Sequence, residues 1–283
     1  MSGPLLLPLR EKFCDGQMVC RLLRPLNPNE SLILAIPGGP GLSSRYLDPF
    51  MRALSERTGL NVATLDLPNH GDSKITSHGD PLSYAQCLSF IKQTVEEMQK
   101  QSKALLIFGQ SFGARLAFDL LAGLEKVPTA TLLTGFPFVF QVSSGLISRL
   151  NDLPLQSEEG PDAEKIHAEN WKKILPVYAA KPLSEEAFNA LATREEVPDG
   201  QRMLQDAPPI EEIVKGIPSD ASILIIEAHQ DPVVPDDNWK VLRGLLSNAT
   251  FTTIDDVGHF PMAESPEDVL VAFSNFIRAR MNP

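Results

Sequence analysis

Short apolar runs alternate with longer amphipathic segments along this 283-residue chain, and this alternation limits the possible folds more than any other feature. The runs have the length of strands buried within a sheet, and the longer segments have apolar residues at helical spacing. Strands that alternate with helices in this way are typical of βα units. The pattern therefore predicts an α/β fold with a mostly parallel central sheet flanked by helices.

The boundaries of the elements follow from where each apolar pattern starts and stops. Strands are predicted at residues 17–24, 31–36, 61–65, 103–108, 130–134, 221–227 and 250–254, the first two as an opening pair. Helices are predicted at residues 45–57, 82–100, 112–124, 235–246 and 266–281. A short apolar patch near the N-terminus, which Pro4 and Pro8 interrupt, is not among the predicted strands.

One connection is too long for a simple crossover, because about eighty residues separate the strand at 130–134 from the strand at 221–227. A structureless loop of that length is uncommon in a compact domain, and the segment has helical stretches divided by prolines. We therefore predict an α/β core formed by residues 1–138 and 219–283, with an inserted helical cap formed by residues 139–218. The cap is expected over the C-terminal edge of the sheet, where open α/β folds bind ligands.

The sequence Gly-Gln-Ser-Phe-Gly, residues 109–113, lies where a predicted strand meets a predicted helix. A sharp turn at that point forces the central residue into a strained backbone conformation, and glycines on both sides let strand and helix approach closely. The helix N-terminus also places backbone N–H groups near any negative charge that develops there. Glycine and serine are common in ordinary turns, so Ser111 becomes a candidate nucleophile only together with suitable partners.

A serine nucleophile needs a base and an acid, and two later strands are followed by such residues. Asp231 comes just after the strand at 221–227, and His259 lies in the loop after the last strand. His259 is expected to take the proton of Ser111, while Asp231 accepts a hydrogen bond from the other ring nitrogen and stabilises the imidazolium. The rival acids are on the histidine's own loop, where capping a turn is the favoured role. They are Asp255 and Asp256.

A glycine-rich loop with the sequence AIPGGPGLSS, residues 35–44, follows the predicted strand at 31–36. Glycines let backbone amides approach a carbonyl oxygen without a Cβ in the way. The amides of Gly39 and Phe112 are therefore predicted to form an oxyanion hole. A plain turn of proline and glycine is the alternative, and a nucleotide loop of the Walker type is excluded because no Gly-Lys-Ser/Thr follows.

Together these residues resemble the α/β-hydrolase superfamily, and Gly-Gly-Pro-Gly with Gly-Gln-Ser-Phe-Gly resembles its proline iminopeptidase branch. The segment DLPNHGDS, residues 66–73, is similar to the one that follows the third core strand in many members. The resemblance extends over nearly the whole chain and implies the α/β-hydrolase fold with a Ser-His-Asp triad. In the iminopeptidase branch a histidine precedes Gly-Gly-Pro-Gly, whereas this sequence has Pro37 there and lacks a side chain that helps to hold the loop.

The resemblance to proline iminopeptidases implies that carboxylates of the cap hold the free amino group of the substrate. Solvated helix surface is the favoured explanation for each candidate carboxylate of this cap, so none is assigned as a ligand. They are Glu169, Glu185, Glu186, Glu195 and Glu196. Three aromatic residues of the cap have helical spacing that favours packing within the cap, with the wall of an apolar pocket as the alternative. They are Trp171, Tyr178 and Phe188.

The predicted function is a cofactor-free serine hydrolase that cleaves a small acyl compound through an acyl-enzyme. The most specific form of this prediction is an aminopeptidase that acts on short peptides. Esters, thioesters or carbon–carbon bonds of small carbonyl compounds are the alternative substrates, because a fold does not specify its chemistry. A non-catalytic receptor that keeps the hydrolase pocket is a third hypothesis. Epoxide hydrolases and dehalogenases are disfavoured, because they have an aspartate where this chain has Ser111.

Net charge and cysteine usage limit the partners and the location. A formal net charge of -11 disfavours nucleic acids and anionic membranes, and no apolar stretch reaches the length of a membrane span. The histidines lack metal-ligand spacing, so no metal or other cofactor is predicted. The three cysteines have no disulfide or zinc pattern and the N-terminal patch has no signal-peptide pattern. We therefore expect a cytoplasmic protein with a small-molecule or short-peptide substrate.

Overall fold

One eight-stranded sheet organises the residues that the computed structural model describes, which are 4–8, 17–75, 82–136, 144–157, 162–192, 203, 206–234 and 236–281. Its strands are β1 (Pro4–Pro8), β2 (Gln17–Leu22), β3 (Leu32–Ile36), β4 (Asn61–Leu65), β5 (Leu105–Gln110), β6 (Ala130–Thr134), β7 (Ile223–Ala228) and β8 (Thr250–Ile254). Their order across the sheet is β1-β2-β4-β3-β5-β6-β7-β8.

Helices fill the connections between these strands. They are α1 (Asp48–Thr58), α2 (Tyr84–Lys100), α3 (Phe112–Leu121), α4 (Ser144–Asn151), α5 (Ala163–Tyr178), α6 (Glu185–Ala192), α7 (Ile210–Val214), α8 (Asp236–Leu245), α9 (Pro261–Glu264) and α10 (Pro266–Met281). A short 3₁₀ helix, Ser44–Leu47, precedes α1.

Strands β3 to β8 pair with one another only in parallel, whereas β1 with β2 and β2 with β4 are antiparallel. The predicted α/β fold, with a mostly parallel sheet flanked by helices, is therefore confirmed. The two strands predicted to open the fold are not neighbours, because β4 lies between β2 and β3. The strand β1, absent from the prediction, lies at the edge of the sheet with Pro4 and Pro8 at its ends, where a missing N–H is tolerated.

Alternate residues of the central strands face two separate cores. In β3, Leu32, Leu34 and Ile36 belong to one core, and Ile33 and Ala35 belong to the other. Helices α2, α3 and α8 contribute to the first core, and α1 and α10 contribute to the second. Because β3 and β5 are buried on both faces, their sequences are nearly continuous apolar runs rather than alternating ones.

The parallel strands bring the candidate site residues to one edge of the sheet, because the carboxyl ends of parallel strands all point the same way. The glycine-rich loop follows β3, and β5 ends directly before Ser111. Asp231 follows β7, and His259 follows β8. Topology therefore brings Ser111 close to His259, although these two residues are 148 positions apart in the sequence.

Helices α4 to α7 lie between β6 and β7, within the predicted insertion. The long helix α5 contacts both α4 and α6. Trp171 is buried in the same core as α1 and α10, and Tyr178 and Phe188 pack against that core. The division into core and cap stays a prediction. Glu195 and Glu196 lie outside the described residues.

Candidate active site

Ser111 lies at the turn between β5 and α3, where its backbone has φ 51° and ψ −122°. A positive φ is unfavourable for a residue with a Cβ and persists only where the surrounding structure imposes it. The Ser111 amide donates to the carbonyl of Thr134 at 2.9 Å, and its carbonyl accepts the amides of Ala114 and Arg115. The structure therefore has a strained strand-to-helix turn at this serine.

The two glycines of Gly-Gln-Ser-Phe-Gly are required because backbone segments approach closely at both. A Cβ on Gly109 would lie 2.6 Å from Cα of Ala114, and a Cβ on Gly113 would collide with the carbonyl oxygens of Ile36 and Pro37. Only glycine leaves that space open. The motif thus lets α3 pack directly against the ends of β3 and β5.

His259 contacts both of the partners predicted for it. Its Nε2 lies 2.8 Å from Oγ of Ser111, and its Nδ1 lies 2.9 Å and 3.1 Å from the two carboxylate oxygens of Asp231. An ionised carboxylate only accepts hydrogen bonds, so Nδ1 carries the ring proton and Nε2 accepts the hydrogen bond of the serine hydroxyl. In this arrangement the imidazole is placed to remove the serine proton.

Asp231 is held by the loop that contains it. Its Oδ1 accepts the amides of Val233 at 2.8 Å and Val234 at 3.1 Å. The side chain of Asp231 is fully buried and that of His259 is 5% exposed, so water hardly competes for the bond between them. Low local polarity strengthens such a hydrogen bond.

The two rival acids make other contacts. Asp255 has a side chain that is 85% exposed and lies 3.8 Å from His229. Asp256 accepts a hydrogen bond from Gln230 at 3.1 Å and has a φ of 56°. Both residues are in the turn that follows β8.

Side chains of Tyr46 and His70 bind the glycine segment of the loop after β3. The Tyr46 hydroxyl accepts the Gly38 amide at 2.6 Å, and Nε2 of the buried His70 accepts the Gly41 amide at 2.9 Å. The other ring nitrogen of His70, Nδ1, donates to the carbonyl of Pro68 at 2.8 Å, so Nε2 is the nitrogen that accepts. The loop is therefore held by side chains although it has Pro37 where the iminopeptidase branch has a histidine.

The predicted oxyanion donors lie on the two segments that meet at Ser111. Within the residues that the structure describes, no hydrogen-bond acceptor contacts the Gly39 amide. The loop passes directly beside the serine, since a Cβ on Gly38 would lie 3.0 Å from Cβ of Ser111. Phe112 is the first residue of α3 and directly follows Ser111. Their role as oxyanion donors stays a prediction.

The sequence model of the family described as "Alpha/beta hydrolase family" matches residues 33–273. The chain belongs to the α/β-hydrolase family. The matched residues include the turn at Ser111 and the loops that carry Asp231 and His259.

Individual relatives of this α/β hydrolase have different recorded activities. It is 23% identical over 241 residues to an sn-1-specific diacylglycerol lipase, ABHD11, of Xenopus laevis, which covers 81% of this chain and 74% of that protein. A bacterial membrane phospholipase A has a TM-score of 0.74 at 19% identity, covering 99% of this chain and 87% of that chain. The haloalkane dehalogenase DatA of Agrobacterium tumefaciens C58 has a TM-score of 0.74 at 13% identity, covering 98% and 97%. These structural likenesses show a shared fold.

The predicted site of this α/β hydrolase omits Tyr46 and Gln110, which connect its loops. The Tyr46 hydroxyl donates to Oε1 of Gln110 at 2.7 Å, and Nε2 of Gln110 donates to the carbonyl of His259 at 3.1 Å. Burial raises the pKa of Tyr46, so its hydroxyl stays neutral and both donates and accepts. Gln110 has a sequence signal, since it directly precedes Ser111, but Tyr46 has none.

Other reactive groups of the α/β hydrolase are placed differently. Burial raises the pKa of Cys20 and of Cys87 to about 12, so these two thiols stay protonated at neutral pH. In the described part of the chain, no three His, Cys, Asp or Glu side chains are grouped as metal ligands. None of the helices described is long and apolar enough to cross a membrane.

Proposed function

We propose that this protein is a serine hydrolase that cleaves carboxylic esters through an acyl-enzyme. The observation that carries the proposal is the series of contacts from Asp231 through His259 to Ser111, which lies at a strained turn. A serine hydroxyl is a weak nucleophile until a base removes its proton during attack, and the imidazole 2.8 Å away supplies that base.

In the acylation step, Oγ of Ser111 attacks the ester carbonyl carbon while Nε2 of His259 takes the hydroxyl proton. The carboxylate of Asp231 stabilises the imidazolium that forms. The carbonyl oxygen becomes an oxyanion and binds the amides of Gly39 and Phe112, each worth roughly 10²- to 10³-fold in kcat on the precedent of other oxyanion holes. The imidazolium then gives its proton to the alcohol oxygen as the C–O bond breaks.

Deacylation repeats these roles with water as the nucleophile. Nε2 of His259 takes a proton from the water while its oxygen attacks the acyl carbon of the acyl-enzyme. The second tetrahedral species collapses, the acid product leaves, and Ser111 regains its proton from the imidazolium. Every proton transfer in the cycle passes through one ring nitrogen.

Ester substrates are favoured over peptides with a free amino group. One curated relative is a diacylglycerol lipase, and one structural neighbour is a phospholipase A. The described carboxylates considered for an amino group, Glu169, Glu185 and Glu186, are exposed, as solvated helix surface is. An aminopeptidase of the proline iminopeptidase type is supported only by the Gly-Gly-Pro-Gly and Gly-Gln-Ser-Phe-Gly motifs.

A substrate panel with the purified protein tests the proposal. It compares p-nitrophenyl esters with aminoacyl p-nitroanilides of matched acyl size, the latter with free and with blocked amino groups. We expect ester hydrolysis and covalent labelling of Ser111 by a fluorophosphonate. Ser111→Ala should abolish labelling and lower kcat roughly 10⁶-fold. The matched control is Ser247→Ala, an exposed serine in the loop before β8, which should behave as the wild type does.

The other hypotheses predict different results in the same panel. Cleavage only of anilides with a free amino group would favour the aminopeptidase. A wild-type protein that is neither labelled nor active on any ester or anilide of the panel would contradict the hydrolase and favour a receptor.

A further inference from the structure

The loop that carries His259 is anchored by a carboxylate outside the triad. Oε2 of Glu264 accepts the Gly258 amide at 2.9 Å, and Oε1 of Glu264 accepts the Phe260 amide at 3.1 Å. These two amides flank His259 in the sequence. One side chain, at the end of α9, therefore holds the backbone on both sides of the imidazole.

The same carboxylate reaches the C-terminal end of helix α5, in the predicted cap. Oε2 of Glu264 also accepts the Ala180 amide at 2.7 Å and the Lys181 amide at 3.2 Å. The His259 amide donates to the carbonyl of Tyr178, the last residue of α5, at 2.8 Å. The amides of residues 258–260 are thus all bound by Glu264 or by the end of α5.

The histidine loop and the end of α5 are also in close contact. A Cβ on Gly258 would lie 2.6 Å from the carbonyl oxygen of Tyr178 and 2.6 Å from the amide nitrogen of Ala180. The ring of Tyr178 lies 5.8 Å from the ring of His259, centroid to centroid, and 6.5 Å from the ring of Phe260. Movement of one segment without the other would break these contacts.

We propose that Glu264 is a positioning residue for His259 and that it couples this base to the end of helix α5. The inference rests on the proposed serine-hydrolase function. Asp231 orients the imidazole through Nδ1, but the ring reaches Ser111 only if the backbone of His259 is also held. A displacement of about 1 Å is enough to cost on the order of 10²-fold in rate. Glu264 binds one pair of amides beside His259 and a second pair just after α5. The position of His259 therefore depends on the position of α5.

A purely structural role for Glu264 predicts a different outcome. Its loss would then lower the melting temperature and leave kcat of the folded protein unchanged. A positioning role lowers kcat while KM stays nearly constant, because the proton transfer and not the binding of the acyl group depends on His259.

Three variants separate these roles. Glu264→Gln keeps the shape of the side chain and removes its charge and one acceptor oxygen, whereas Glu264→Asp keeps both oxygens on a shorter side chain. Glu267→Gln is the matched control, because Glu267 is 68% exposed and is paired with Arg57. Each variant is measured at a temperature at which circular dichroism shows it to be folded.

The kinetic readouts are kcat and KM for a p-nitrophenyl ester and the rate at which a fluorophosphonate labels Ser111. In Glu264→Gln we expect kcat and the labelling rate to fall about 10- to 100-fold while KM changes less than about twofold. Glu264→Asp should lose less than Glu264→Gln, and Glu267→Gln should equal the wild type.

Hydrogen exchange tests the coupling to α5. In Glu264→Gln, the amides of Gly258 and Phe260 should exchange faster together with those of Ala180 and Lys181, and in Glu267→Gln all four should be unchanged. The positioning role is wrong if every folded variant at position 264 keeps the wild-type kcat and labelling rate. The coupling is wrong if the amides of Ala180 and Lys181 stay as protected as in the wild type. An inactive and unlabelled wild type would instead overturn the hydrolase function, while exchange would still report on the anchoring.

Discussion

The carboxylate of Asp231 determines which nitrogen of His259 carries the proton, because it only accepts hydrogen bonds. It meets Nδ1 with both oxygens and also accepts the amides of Val233 and Val234. An asparagine would still accept those two amides through its oxygen. Its NH₂ group, however, would turn Nδ1 into an acceptor and leave the proton on Nε2, facing Ser111.

Asp231→Asn is therefore expected to lower kcat for ester hydrolysis by roughly 10⁴-fold, on the precedent of serine proteases. The measurement is kcat and KM with the best p-nitrophenyl ester of the panel. Asp255→Asn serves as the control, because this exposed carboxylate lies in the turn after β8. Near-normal turnover in Asp231→Asn, or a large loss in Asp255→Asn, would show that the acid has been assigned to the wrong residue.

Single residues of the site differ in how far their sequence context predicts them. Asp231 and His259 can be found because each lies shortly after a predicted strand, and parallel strands end at one edge. Tyr46 and Glu264 cannot be found in this way. Their contacts, to Gly38 and to the end of α5, depend on the path of loops that carry no periodic pattern.

Among the elements, helix α2 shows how a local sequence signal sets a boundary. The Ser83 hydroxyl accepts the Gln86 amide at 3.3 Å, and the Gln86 side chain accepts the Ser83 amide at 2.9 Å. This reciprocal capping box satisfies two amides at the start of the helix. It lies at the start of the helix predicted for residues 82–100, which runs over Tyr84–Lys100 in the structure.

Ser83→Ala is expected to lower the free energy of unfolding by about 1 kcal/mol, within a range of about 0.5–2 kcal/mol. Urea unfolding followed by circular dichroism measures this loss. If the slope of the unfolding free energy against urea concentration is the same in the variant and the wild type, only the stability has changed. Ser83→Asp keeps a capping oxygen and should retain most of the stability. Equal losses in both variants would mean that the cap is not the source of the effect.

Strand pairing is the property of elements that the sequence predicts least well. β3 is buried along its whole length, which agrees with its continuous apolar sequence. The apolar pattern of a strand does not say which strand lies beside it, and β4 separates β2 from β3. Pro4 and Pro8 have low strand propensity, so β1 is not predicted from the sequence, although an edge strand tolerates proline.

At the scale of the whole molecule, the buried carboxylate of Asp66 joins three segments of the chain. It accepts the amide and the hydroxyl of Ser44 at 2.8 Å and 2.7 Å, the amide of Asp72 at 3.0 Å, and Arg21 of β2 at 3.0 Å. Burial by itself raises the pKa of Asp66, but these hydrogen bonds and the Arg21 charge outweigh burial and hold the pKa below its usual 3.8.

This lowered pKa implies that Asp66 stabilises the folded protein less in acid. The carboxylate of Asp66 binds a proton more tightly in the unfolded state than in the folded state. Its contribution to the stability of the folded protein is therefore fully present above pH 3.8 and is lost as the pH falls through the pKa of the folded state. We expect the free energy of unfolding of the wild type to be higher than that of Asp66→Asn, and the difference to be largest near neutral pH. The difference should narrow below about pH 4. Urea unfolding at a series of pH values measures it, and a difference independent of pH would contradict this role.

The α/β class of this protein and the positions of Ser111, Asp231 and His259 at strand ends can be predicted from the amino-acid sequence alone. Apolar periodicity and the glycines of a tight turn are local properties, so they can be read along the chain. The contacts that hold the glycine-rich loop and anchor the histidine loop, in contrast, become visible only in the folded protein. Those contacts join residues 64 positions apart for Tyr46 with Gln110 and 84 apart for Ala180 with Glu264. No local pattern encodes such a contact, because it exists only once the sheet and the helices around it have packed.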